Sequence, residues 1–78
     1  MTTRKFTIIH TDAEGEVNIE EMEVMRSMDE IVQCTKDNLD SGMPFPWDHV
    51  TMWSKPNLVV LVHDHDDGFT CHTTIVAN

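Results

Sequence analysis

Residues 27–42 read SMDEIVQCTKDNLDSG, and the fold turns on whether they form a helix. Ser27 followed three residues later by Glu30 is a capping box, in which each side chain satisfies a backbone N–H at the helix start. Asp29 and Glu30 suit the positive end of the helix dipole. Met28, Ile31, Val32, Thr35 and Leu39 recur at steps of three and four, so one face is mostly apolar. Gly42 is a natural stop. The spacing predicts a helix over Met28 to Asp40, and Pro44 and Pro46 then force an extended loop, MPFP.

Outward from this helix the chain reads as strands. KFTIIHT (residues 5–11) is rich in Phe, Ile and Thr, and DAEG (12–15) is a turn signal. EVNIEEMEV (16–24) alternates, slips phase at Glu20–Glu21, and alternates again. A β-bulge there would restore the phase and turn Val17, Ile19, Met22 and Val24 inward. A helix capped by Asn18 is the rival, and the alternation favours the strand. WDHVTMWS (47–54) reads as a strand, with Trp47, His49, Thr51 and Trp53 on one face and Val50 and Met52 on the other. KPN (55–57) is a turn. LVVLVHDH (58–65) is apolar on both faces, which places it centrally, and FTCHTTIVA (69–77) returns after DDG. The expected fold class is α+β: an antiparallel β-sheet of four to five strands, order β-β-α-β-β-β, with one α-helix packed on one face.

The 78 residues make a single small acidic domain. A chain this short buries only about 60% of its unfolded surface, which leaves little room for a deep substrate pocket. Fourteen acids against five bases give a formal charge of −9. That charge repels nucleic acid and anionic lipid, and favours basic partners. The longest apolar run, Leu58 to Val62, is far short of the ~20 residues of a membrane helix. The first ten residues hold no long apolar stretch, so a cytoplasmic location is expected. Cys34 and Cys71 are then two free thiols rather than a disulfide framework.

VHDHDDGFTCH (62–72) gathers three of the five histidines beside a cysteine. If Asp66, Asp67 and Gly68 form a three-residue loop with a glycine bulge, His63 sits opposite Cys71 and His72 points the other way. If Asp67-Gly68 is a two-residue loop, His63 faces His72. Either register brings His63 and His65 together with Cys71 or His72, the ligand types zinc prefers. This small metal-binding module is one alternative for the function. Its fourth ligand would come from Asp64, His10, His49 or a second chain. The plainer reading is a half-exposed sheet face and a tight turn, because the spacing matches no zinc motif. We expect no metal, no cofactor and no enzyme: with three glycines there is no phosphate loop, and Cys71 with His63 would lack oxyanion donors.

The acids are unevenly placed. Residues 11–30 hold Asp12, Glu14, Glu16, Glu20, Glu21, Glu23, Asp29 and Glu30 against Arg26 alone. Such a segment suits solubility, or a basic partner. In size and acidity the chain resembles small phage-encoded inhibitors of host defence, such as anti-CRISPR proteins. The charge itself points to a mimic of nucleic acid, an inhibitor that blocks a basic, nucleic-acid-binding surface; the resemblance is one of composition and covers no motif. An acid at every second strand position gives one charge per ~6.8 Å, against one per ~1.7 Å of duplex DNA, so several elements would have to line up. The expected partner-binding residues are Glu16, Glu20, Glu21, Glu23 and Glu30, with Trp47 and Trp53 as apolar contacts. One helix covers only one sheet face, so a homodimer, or a homo-oligomeric structural module, is the other expectation.

Overall fold

The computed structural model describes residues 2–42, 47–65 and 68–78; the expected MPFP loop and the aspartates of the DDG turn lie outside them. The elements are β1 (Arg4–Thr11), β2 (Val17–Val24), α1 (Met28–Ser41), β3 (Asp48–Lys55), β4 (Leu58–Asp64) and β5 (Thr70–Ala77). The five strands form one antiparallel sheet in the order β2-β1-β5-β4-β3. β4 is an interior strand as its two apolar faces demand, and β5 holds the centre. Because every neighbouring pair is antiparallel, β2 and β3 run the same way on opposite edges. The helix therefore carries the chain across the whole width of one face.

The helix starts as its sequence dictates. Ser27 Oγ accepts from the Glu30 N–H, and the Glu30 carboxylate accepts from the Ser27 N–H. Met28 and Ile31 are buried, and Val32, Thr35 and Leu39 are half-buried. Met28 and Ile31 join Phe6, Val59, Leu61, Ile75 and Ala77 in the core, with Ile8, Met22, Val24 and Val32 packed at its margin.

Two hairpins share one plan. In the first, the Asp12 N–H donates to Glu16 O and the Gly15 N–H to Asp12 O. In the second, the His65 N–H donates to Phe69 O and the Gly68 N–H to His65 O. Gly15 and Gly68 take φ of 85° and 84°, a left-handed conformation that glycine adopts without strain. The Asp12 carboxylate also accepts from the Glu14 and Glu16 N–H groups. The second hairpin settles the register: His63 pairs with Cys71, and Val62 with His72.

The bulge expected at Glu20–Glu21 is absent. β2 pairs with β1 without interruption from Arg4↔Val24 to Thr11↔Val17. Met22 and Val24 therefore face the helix, while Val17 and Ile19 lie on the opposite face. The uninterrupted register costs little because Ile19 pairs with Ile9, which lends it apolar company. The irregularity falls in β3 instead: Thr51 pairs with Leu61 but Trp53 with Val60, leaving Met52 as the extra residue. It turns Trp53 away from the side of His49 and Thr51 and onto the face of Val50, contrary to the alternation expected from sequence.

Truncating Leu61, which has no exposed surface, to alanine is expected to cost about 3 kcal/mol in urea unfolding. Removing the cap with Ser27→Ala is expected to cost about 1 kcal/mol.

Candidate functional site

The helix-facing side of the sheet divides into an apolar half under Met28 and Ile31 and a polar line beside it. His10 on β1 pairs with Thr73 on β5, and His63 on β4 pairs with His49 on β3. Asp40, in the last turn of α1, reaches His49 from above. These side chains form one hydrogen-bonded chain. His10 Nδ1 lies 3.1 Å from Thr73 Oγ1, and Thr73 Oγ1 2.9 Å from His63 Nε2. His63 Nδ1 lies 2.7 Å from His49 Nδ1, and His49 Nε2 3.1 Å from Asp40 Oδ1.

With His49 neutral, the carboxylate fixes every direction along this chain. An ionised Asp40 only accepts, so His49 Nε2–H donates to it. The other nitrogen of a neutral His49 must then accept, so His63 Nδ1–H donates. His63 Nε2 accepts from the Thr73 hydroxyl, which in turn accepts from His10 Nδ1–H. Each group has one consistent role, as a buried polar network requires. The Trp47 backbone N–H also donates to Asp40, at 2.9 Å. That contact, and then His49, hold Asp40 below the ordinary carboxylate pKa, against an opposing effect of burial.

His63 and Thr73 have no exposed surface. Burial first, and then the charges of His49, His10, His72 and Lys36, push the His63 pKa down to about 4. Its two ring nitrogens are both engaged within the chain. The Thr73 hydroxyl, with no exposed surface, is engaged by both His63 and His10.

The register keeps three of the proposed metal ligands, His63, His65 and Cys71, on one face of the sheet. His63 and Cys71 are partners across β4 and β5, but His72 lies on the opposite face. The His65 ring packs edge-on against Trp47, with centroids 5.1 Å apart. Burial, and then Asp12 and Asp64, raise the Cys71 pKa, which disfavours the thiolate a metal would need. Among the described residues, no group of three or more His, Cys, Asp or Glu side chains is arranged to hold a metal ion. Cys34 and Cys71 are both free thiols.

The expected partner-binding acids are exposed but do not share one face. β2 is an edge strand, and its regular register turns Glu20 toward the helix side and Glu21 and Glu23 toward the other. Glu16 ends the β1–β2 turn, and Glu30 is held in the capping box. Seen from the side, along the edge, Glu16, Glu20, Glu21 and Glu23 all remain within reach. Glu23 accepts from the Thr3 hydroxyl. Among the described residues, no Lys or Arg side chain pairs with a carboxylate, and Asp40 meets His49. Trp47 is half-buried, whereas Trp53 is 52% exposed with the Lys55 ammonium 5.4 Å from its ring centre.

Sequence reasoning placed His10 and His49 only as spare metal ligands, and did not reach Asp40 or Thr73. Their meeting depends on strand order, for which no local spacing is a signal. Comparison with protein families, with curated proteins and with solved structures found no match, so the functional reading rests on this chain's own geometry.

The lowered His63 pKa fixes the sign of an acid effect. Between about pH 6.5 and pH 4 the unfolded chain binds a proton at His63 that the folded chain does not. Stability is complete above that window and falls as the pH drops through it, by about 2–3 kcal/mol near pH 4.5. Urea unfolding at neutral and acid pH checks this, and His63→Asn is expected to remove most of the pH dependence while lowering stability at neutral pH.

Proposed function

We propose that this chain is a non-enzymatic binding protein, an inhibitor that sets its acidic β2 edge against a basic surface on another protein. The observation that carries the reading is an edge strand whose acids are exposed and lack Lys or Arg partners among the described residues. Glu16 to Glu23 span roughly 24 Å at ~3.4 Å per residue. Asp12 and Glu14 extend the acidic edge around the turn, and Asp29 stands at the helix start. A line of unpaired carboxylates of this length suits a groove lined by Lys and Arg, the kind that otherwise holds nucleic acid.

A nucleic-acid-binding protein is therefore the partner class this reading favours, in keeping with the likeness in size and acidity to phage-encoded inhibitors of host defence. Closure of Thr73 and His63 from solvent supports a non-catalytic role. Two unbridged thiols suit the cytoplasm. Among the described residues, no helix is long and apolar enough to cross a membrane.

The test is capture of partners at low and high salt, followed by displacement with nucleic acid. Binding is expected to fall steeply with salt, because the contact lies between screened charges. Glu16→Lys with Glu20→Lys, both away from the face of Ile9 and Trp53, is expected to weaken capture at least about fivefold, near 1 kcal/mol. Equal capture by that double variant would sink the proposal.

A further inference from the structure

The register places the side chains of the uncovered sheet face on a grid. One row, read from β2 to β3, is Glu21, Thr7, Val76, Leu58, Lys55; the next is Ile19, Ile9, Thr74, Val60, Trp53; the third is Val17, Thr11, His72, Val62, Val50. Most of these side chains are apolar or threonine, and no element of the described chain covers them. Val17 is 53% exposed, Ile19 65%, Val50 46% and Trp53 52%. With strands ~4.8 Å apart and rows ~6.8 Å apart, the patch measures roughly 24 Å by 20 Å before side-chain relief is added. That is about 480 Å² in plan, short of the ~800 Å² per partner of a standard interface until side-chain relief is counted, and in the upper part of the ~300–600 Å² of a typical monomer's largest patch, which is often functional.

We propose that this face packs against the same face of a second copy, about a two-fold axis running along β5. Charge decides the occupant and the axis. Glu21 stands at the β2 end of its row and Lys55 at the β3 end. A two-fold along β5 keeps the rows and exchanges the edges, so β2 lies over β3 of the partner copy. Glu21 then meets Lys55 of the partner copy, twice by symmetry. Ile19 meets Trp53, Val17 meets Val50, and Ile9 meets Val60, each from the partner copy. On the axis, His72, Thr74 and Val76 meet their own counterparts.

The other face-to-face two-fold, across the strands, sets Glu21 over Val17 and Lys55 over Val50. It would leave both charges desolvated and unpaired, which is costly. The self-complementary arrangement is an aligned β-sandwich with sheets about 10 Å apart. Glu23, Asp48 and Asp64 fall outside the three rows, at the rim where they stay in water.

Sedimentation equilibrium of the purified chain, from micromolar to millimolar, tests the arrangement. The expected mass is twice 9.0 kDa. Val60→Lys, at the middle of the patch, is expected to yield a monomer with an unchanged circular dichroism spectrum. Glu21→Lys and Lys55→Glu are each expected to weaken the dimer about tenfold or more, and the double exchange to restore it. A wild-type monomer throughout, a folded Val60→Lys variant as dimeric as wild type, or a double exchange no tighter than its single variants would overturn the proposal. Should Val60→Lys fail to fold, the charge exchange decides. The assay contains only this chain, so its outcome is separate from the salt-dependent capture that tests the acidic edge.

Discussion

A fourteen-residue helix is the one element that covers a five-stranded sheet among the described residues, and the rest of the structure follows from that shortage. At ~1.5 Å per residue the helix is about 21 Å long, enough to cross the sheet from the β2 edge to the β3 edge but not to cover both faces. Its first turns bury Met28 and Ile31 over Phe6, Leu61 and Ile75. Its last turn brings a carboxylate, Asp40, over β3. The two outer strands and the opposite face are left to water or to other molecules, and most residues of β2 and β3 are exposed.

The polar chain from His10 to Asp40 is the counterpart of the apolar core. It joins β1, β5, β4, β3 and α1, every regular element except β2. Such a chain adds little net stability when complete, about 1 kcal/mol per bond, and costs more when broken, because each orphaned buried group loses water without a replacement. It also fixes orientation. Three imidazoles can point one way only when a single acceptor anchors the end, and Asp40 is that acceptor. The lowered His63 pKa is the same fact viewed through protons, since charging that ring would bury a cation and reverse a donor.

The exposed parts divide by chemistry. The β2 edge presents charge, which discourages strand-to-strand addition while leaving carboxylates available to a basic partner. The open face presents Ile9, Ile19, Val60 and Trp53 in one row, with opposite charges at the ends of the row beside it. Face and edge are different surfaces, so pairing through the face leaves Glu16 and Glu20 accessible.

The sequence by itself determined what depends on near neighbours. Ser27 and Glu30 placed the helix start, the stripe from Met28 to Leu39 its buried side, and Gly15 a hairpin, because caps, periodicity and left-handed turns act over a few residues. For the hairpin at Gly68 it left two registers open, and the structure takes the one that sets His63 opposite Cys71, with Gly68 left-handed. Alternation could not say which face the helix would cover, so the phase slip at Glu20–Glu21 suggested a bulge where β2 simply shows apolar residues on both faces. It likewise hid the extra residue at Met52, which reverses Trp53. The meeting of His10 with Thr73 was decided by tertiary structure alone: β1 and β5 come from opposite ends of the chain, and only their pairing at the centre of the sheet brings the two side chains within a hydrogen bond.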